Sequence, residues 1–397
     1  MDGSSFLRYL NEHTSATGSS RRQILRFIRP GQYDKITARL RQDSSSYPDL
    51  GQIRFSPLLG ALLCPHSSSD PEVLREQFGV IAEEDERIEI QAASAAERDL
   101  ASALPWGIRR IGASEAWSVS TGNQIRIGVI DTGADFSHPD LRSSLSRGVN
   151  LLNKMSLPSD DNGHGTHIAG TIAASGGSKG MMGVAPRSLI YPIKAFDHNG
   201  SAYVSDIVLG IDWCVQNRMH IINMSFGMKN KSQALLNTVR KAYNAGIVVV
   251  ASSGNDKKSN IADYPARYPY TISVGATGRD GRVAAFSNRG SRVDIYAPGE
   301  KIKSCWLGDG YKEMNGTSMA TSHVSGAIAL LLAQRPGLSP AEIKRRLRRT
   351  ARPLPAGAAG KSGTSPSAGE VSASRLLRGR GVKAPAAGAK KPAGKSS

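Results

Sequence analysis

Residues 125–133 read Ile125-Arg126-Ile127-Gly128-Val129-Ile130-Asp131-Thr132-Gly133, an apolar run that ends in an acid and a glycine turn. Runs of the same kind recur downstream at Ile190-Tyr191-Pro192-Ile193, Ile221-Ile222-Asn223-Met224 and Ile247-Val248-Val249-Val250. Between them lie stretches with helical character, for example 204–216 and 233–245. Strands that are apolar on both faces and alternate with helices predict a parallel, doubly wound α/β sheet covered on both sides. Such sheets hold their ligands outside the carboxyl ends of the strands, which is where Asp131 stands. Taken alone, an acid at a strand end often only caps the next turn.

Working outward, the chain divides by composition. Residues 1–22 are polar and Ser-rich and read as disordered. From 23 to 100 the pattern is β-α-β-β-α-β. Its strands are Ile24–Ile28, Gln52–Phe55, Leu58–Leu63 and Arg87–Ile90, with helices over 33–41 and from Pro71. That order predicts a small ferredoxin-like α+β domain. Residues 92–104 are an Ala-rich charged linker, 101–380 are the large α/β domain, and 381–397 are a basic low-complexity tail. Within the large domain, Val371–Leu377 reads as a last ordered piece that packs back.

The chain has 397 residues and a formal net charge of +18. Much of this sits in Lys344-Arg345-Arg346-Leu347-Arg348-Arg349 and in the tail lysines, with no aromatic interleaving or recognition motif beside them. The reading is a solvated helix face and a loose tail, without a specific nucleic-acid partner. Cys64, Cys214 and Cys305 are too scattered for a disulfide framework or a zinc site. No run reaches transmembrane length, so no membrane partner is expected. The segment Met1–Phe6 shows no signal-peptide pattern.

Two further segments carry chemistry. In Asn162-Gly163-His164-Gly165-Thr166-His167, a histidine flanked by glycines at a helix start can approach a neighbouring strand closely. Its ring can then bridge an acid and a nucleophile. A metal pair of His164 and His167 is the other reading, but further ligands at zinc-like spacing are missing. In Asn315-Gly316-Thr317-Ser318-Met319-Ala320, a glycine turn puts a serine at the mouth of a long apolar helix. The amide groups and positive dipole end there would favour an oxyanion next to Ser318. Alternatively Thr317 or Ser318 is only a helix N-cap. Together the segments supply an orienting acid, a base and a nucleophile in the order Asp131, His164, Ser318.

With this order and these motifs, the chain resembles the subtilisin-like serine proteases (subtilases) over about 101–380. The resemblance implies a serine endopeptidase of broad specificity working through an acyl-enzyme on protein and peptide substrates. Ala251-Ser252-Ser253-Gly254-Asn255-Asp256 resembles the family's oxyanion segment, with Asn255 as donor. Gly200-Ser201-Ala202 and Ser225-Phe226-Gly227 resemble the edges that pair with substrate backbone, and Tyr264-Pro265 a turn that often carries a cis peptide. Ser253, Gly254 and Asp263 would line the cleft near the P1 side chain. Asp263 would favour a basic P1 residue unless it pairs with a base such as Arg267 or faces solvent.

The N-terminal unit resembles the family's prodomain, an intramolecular chaperone and inhibitor. The implied product is a self-processing zymogen cut at Leu100–Ala101, or after Arg98 if P1 is basic. No cofactor is implied for the chemistry. A structural calcium ion is implied with Asp140 as a ligand, yet the loop 175–180 lacks the usual Asn and carries Lys179, and Ser102 replaces a Gln. Ser322 stands where the family has a proline. A monomer suffices, and family habit points to export, against which the N-terminus leaves the cytoplasm open. A non-catalytic scaffold and a basic protein that binds anionic surfaces are the competing classes.

Overall fold

The computed structural model describes residues 3–14, 21–90, 93–94, 104–176, 180–355 and 368–378. The first helix, α1 (Gly3–Glu12), falls in the segment expected to be disordered. Phe6, Leu7 and Leu10 form one apolar stripe at helical spacing and are fully buried. Phe6 meets Phe27 and Phe78, each at 5.5 Å between ring centroids. The Ser-rich composition hid a docking face that three side chains suffice to make.

The N-terminal unit continues with β1 (Arg21–Phe27), α2 (Gln32–Gln42), β2 (Arg54–Ser56), β3 (Ala61–Ser67), α3 (Pro71–Phe78) and β4 (Val80–Glu84). Its sheet is antiparallel in the order β2-β3-β1-β4. The expected last strand was Arg87–Ile90; the structure puts β4 in that place. The next strands, β5 (Arg87–Glu89) and β6 (Ala93–Ser94), leave the unit and pair with the large domain. Alternation was correctly read at 87–90, but its partner is remote in sequence.

The large domain runs through α4 (Trp106–Arg110), α5 (Ala113–Ala116), β7 (Arg126–Asp131), β8 (Val149–Asn150), α6 (His164–Ala173), β9 (Leu189–Lys194) and β10 (Ser201–Tyr203). Next come α7 (Val204–Gln216), β11 (Ile221–Met224), α8 (Gln233–Asn244), β12 (Val248–Ser252), β13 (Thr271–Thr277) and β14 (Ile295–Pro298). It closes with β15 (Ile302–Cys305), β16 (Tyr311–Asn315), α9 (Thr317–Gln334), α10 (Pro340–Thr350) and α11 (Ala373–Arg378). Seven strands form a parallel sheet in the order β14-β13-β12-β11-β7-β9-β8. This is the α/β fold expected from the apolar runs.

Helix α9 is apolar almost all round and is buried along nearly its whole length. It packs on β11 to β14 and on α6. The basic run 344–349 lies on α10, which buries Ile343 and Leu347 and turns most of its charges outward. The piece expected to pack back does so, with Leu376 and Leu377 in the main core. All three cysteines are free and buried. Among the described residues, no helix is long and apolar enough to cross a membrane.

The two units meet through polar groups aimed at helix starts. Asp85 accepts from the Ser205 amide (2.7 Å) at the first turn of α7, and Glu83 accepts from the Ala234 amide (2.9 Å) at the first turn of α8. Each carboxylate satisfies amides that have no partner inside the helix and lies at the positive dipole end. Asp212 of α7 accepts from Ser56 Oγ (3.0 Å), and Arg54 pairs with Asp206 (2.7 Å).

Candidate active site

Three adjacent strands, in the order β12-β11-β7, end at one crevice. Asp131 is the last residue of β7, Ser225 follows β11, and Ser253-Gly254-Asn255 follow β12. Helices α6 and α9 pack together and begin there, with His164 and Ser318 in their first turns. Asp131, His164 and Ser318 are each about 1% exposed.

The glycines around His164 make this approach feasible. Gly163 caps α6 at φ 103°, and a Cβ there would lie 2.4 Å from the Trp306 ring. A Cβ on Gly165 would lie 2.1 Å from the Gly133 carbonyl. Gly165 N–H also donates to Thr132 Oγ1 (2.9 Å), which ties the helix start to the strand end. In that position His164 Nδ1 donates to Asp131 Oδ1 at 2.7 Å, and the same oxygen accepts from the Thr132 amide at 2.8 Å. With Nδ1 so engaged, the proton-accepting nitrogen is Nε2, a buried atom with no hydrogen-bond partner. The Ser318 hydroxyl donates instead to the Ser225 carbonyl at 2.7 Å, so the expected bridge to His164 is unmade in this state.

Thr317 and Ser318 do not cap α9: the N-cap position is Gly316, with no side-chain cap bond. Thr317 has a different task, which the sequence did not suggest. Its N–H and Oγ1 both donate to Asn255 Oδ1, at 3.0 and 2.9 Å. The amide oxygen is thereby held on Thr317, which leaves Nδ2 as the donor end of Asn255. Ser322, at the position of the family's proline, donates its hydroxyl to the Ser318 carbonyl at 3.1 Å. Lys194 was also missed; it is 5% exposed and donates to the Thr132 carbonyl at 2.7 Å. A single lysine ending a strand gave no signal of that partner.

The cleft is bounded by two backbone edges, and the chain's own strand lies between them. β5 pairs antiparallel with β10, in the register Ser201↔Glu89, Ala202↔Ile88 and Tyr203↔Arg87. Ile90 N–H continues this edge by donating to the Gly200 carbonyl (2.9 Å), and on the other side Glu89 bridges Gly227. Phe226 turns its ring into the core against Phe196, so this edge offers backbone only. Ile88 is buried in the same core. Leu100, Ala101 and Ser102 lie outside the described residues.

Asp263 lies beside Gly227 and Gly254: a Cβ on Gly227 would be 2.9 Å from Asp263 Cβ, and one on Gly254 would be 2.5 Å from its Oδ2. Its partner is Lys229 at 2.8 Å, rather than the expected Arg267. Burial pushes the Asp263 carboxyl up and Lys229 opposes this, while the two flanking aspartates hold the Lys229 ammonium above its ordinary value. The Tyr264-Pro265 peptide is cis.

The acid proposed for calcium does not fit that role. Asp140 Oδ2 accepts from Tyr311 OH (2.7 Å) and from the Met181 amide (2.8 Å). Among the described residues, the other histidine, cysteine or carboxylate ligand atoms grouped with it are those of His138 and the buried Cys305 thiol. Calcium asks for six to eight oxygens, and the described residues of this set supply too few. His167 is likewise no ligand, since Nε2 lies against the Ile302 and Lys312 carbonyls.

A model of the subtilase family matches residues 122–377. The chain belongs to the subtilases. It is 44% identical over 256 residues to a subtilisin of Bacillus pumilus, covering 63% of this chain and 92% of that protein. Subtilisin E of Bacillus subtilis (strain 168) is 43% identical over 258 residues, covering 64% of this chain and 67% of that protein. A thermostable alkaline protease of Halalkalibacterium halodurans is 41% identical over 257 residues, covering 64% and 70%. This subtilase is therefore a serine endopeptidase acting on proteins, and subtilase chemistry needs no cofactor.

Burial also makes the site region of the subtilase sensitive to acid. Desolvation pushes His167 down to about 3 and His323 down to about 4. Between those values and the unfolded value near 6.5, only the unfolded chain binds these protons. Their stabilising effect is thus complete above pH 6.5 and is lost as pH falls. By pH 5 the loss is about 2 kcal/mol per histidine. The urea midpoint of Ser318→Ala protein should fall clearly between pH 7 and pH 5, and a midpoint that stays put contradicts this.

Proposed function

We propose that this subtilase is a broad-specificity endopeptidase made as a self-processing zymogen, with Ser318 as nucleophile, His164 as base and Asp131 as orienting acid. The observation that carries the reading is the Asp131–His164 contact, with Nε2 left unpartnered in the crevice from which α9 starts.

In the reaction, Ser318 Oγ leaves the Ser225 carbonyl and gives its proton to His164 Nε2 as it attacks the scissile carbonyl carbon. Asp131 holds the ring in the productive tautomer and stabilises the imidazolium. The oxyanion receives the Asn255 Nδ2 donor and an amide at the α9 N-terminus, where the dipole adds to the field. His164 then protonates the leaving amine, and water, deprotonated by the same nitrogen, releases the acyl group.

Recognition through the backbone edges 200–202 and 225–227 asks little of substrate side chains, which supports broad specificity. The unit 23–100 serves as inhibitor and folding aid, because its Glu83 and Asp85 complete the helix starts of α7 and α8 while β5 fills the cleft. The enzyme works as a monomer. Hydrolysis of an unfolded protein by wild type and Asn255→Ala tests the mechanism. The loss of this donor measured in a subtilisin itself is about 10²- to 10³-fold in kcat. Equal rates with and without Asn255, or no hydrolysis by either, would sink the reading.

A further inference from the structure

The buried Asp263 carboxylate carries a counter-ion that the mechanism does not use. Its segment is tied to both walls of the crevice, 225–228 and 253–255. Asp263 N–H donates to the Ser253 carbonyl (2.9 Å), while Met228 and Tyr264 exchange both of their amide bonds (2.8 and 2.9 Å). On these walls Gly227 and Gly254 have no side chain, and Asp263 fills the space that their Cβ atoms would take. With Ser318 as nucleophile, the scissile carbonyl lies between Asn255 and Ser318, whose hydroxyl rests on the Ser225 carbonyl. Ser225 and Asn255 belong to the same two walls, so the P1 side chain descends between them towards Asp263.

Left to itself, a buried carboxylate there would draw Arg or Lys into the P1 site. Lys229 opposes this. Its ammonium lies 2.8 Å from Asp263 Oδ2 and also contacts Asp256, which Lys258 approaches to 3.7 Å. Two carboxylates and two ammonium groups leave the network with no net charge. The Asp263 side chain is 2% exposed and that of Lys229 45%, so the ammonium covers the acid on its solvent side. Burial alone would push Lys229 down, yet Asp256 and Asp263 hold it above its ordinary value and keep it charged. A second cation brought to Asp263 Oδ2 must displace this ammonium or sit beside a like charge. Arg267 lies over the Tyr264 ring, 5.5 Å from its centroid, and leaves the pairing to Lys229.

We propose that Lys229 is a specificity-determining residue: by neutralising Asp263 it makes the P1 site favour uncharged side chains over Arg and Lys. This role deepens the endopeptidase reading and rests on Ser318 as nucleophile. It reverses what the acid alone implies, since the same pocket without Lys229 would select a basic residue. Lys229 touches no reacting atom; it acts through the charge that Asp263 presents to the substrate.

The test is kcat/KM for peptide anilides that differ only at P1, with Arg, Lys, Leu or Gln in that position. The wild type should cleave the Leu and Gln peptides better than the Arg and Lys peptides. Lys229→Met should raise the Arg-to-Leu ratio of kcat/KM by about tenfold or more, the worth of one hydrogen bond to a charged group. Lys229→Arg, which keeps the charge, should leave the ratio low. Lys229→Met leaves a buried carboxylate unpaired. The double variant Lys229→Met/Asp263→Asn removes that charge, and the gain should vanish. Asp263→Asn alone gives the network a net positive charge, so its Arg-to-Leu ratio should fall below that of the wild type. A wild type that prefers Arg, a ratio unmoved in Lys229→Met, a gain that survives in the double variant, or a ratio that does not fall in Asp263→Asn overturns the proposal. Hydrolysis of the Leu peptide scores the Ser318 reading separately. An enzyme that cleaves it with an unmoved ratio refutes the role of Lys229 alone, and one that cleaves no peptide refutes both.

Discussion

Ser318→Ala should abolish proteolysis and leave a folded chain of full length. In a subtilisin the loss of the nucleophile costs about 2 × 10⁶-fold in kcat, and the residual rate reflects oxyanion stabilisation and binding alone. The effect is this large because the hydroxyls directly around Ser318 are already engaged. Ser322 and Ser225 spend their hydroxyls on the Ser318 carbonyl, and Thr317 spends its own on Asn255. The fold should tolerate the change. Ser318 Oγ makes one hydrogen bond, to the Ser225 carbonyl, and the rest of α9 is held by apolar packing. Intact mass after incubation, together with hydrolysis of a denatured protein, measures both parts. A variant that still cuts itself at the wild-type rate would place the nucleophile elsewhere.

Asp131→Ala should lower kcat by about 3 × 10⁴, the figure measured for this acid in subtilisin, with a much smaller change in KM. Asp131 Oδ1 is the acceptor for His164 Nδ1. Without it, the imidazole loses its fixed tautomer and the imidazolium formed during attack has no counter-charge in a buried site. The edges 200–202 and 225–227, proposed to pair with substrate, are untouched, so binding should persist. A kcat within tenfold of wild type would remove Asp131 from the proposed mechanism. An equal loss in KM and kcat, with a large drop in thermal stability, would make its role structural.

The parts of this protein that were legible in its sequence are those governed by local patterning. Buried strands are apolar whichever strand they meet, so 125–130, 190–193, 221–224 and 247–250 announced the parallel sheet. Strands β13 and β14 escaped notice: their runs, Thr271–Thr277 and Ile295–Pro298, are broken by Gly, Ser or Pro. The motifs around Asp131, His164 and Ser318 were equally plain. Glycine beside a functional group reports a close approach, and the structure supplies the neighbours, Trp306 and Gly133.

Pairing between distant segments was beyond reach of the sequence, because alternation marks a strand but does not name its partner. Arg87–Ile90 was correctly read as extended, yet only the folded chain puts it between Ala202 and Gly227. Tertiary packing likewise gave Asp263 to Lys229, turned Asp140 onto Tyr311, and set Thr317 against Asn255. Each is a choice among several possible partners for one polar group, settled by which backbone brings its atoms within about 3 Å. The sequence by itself determined the sheet and the family, and it supplied the residues proposed for the chemistry. The tertiary structure alone decided which atoms they face, because hydrogen bonds depend on distances that chain order does not encode.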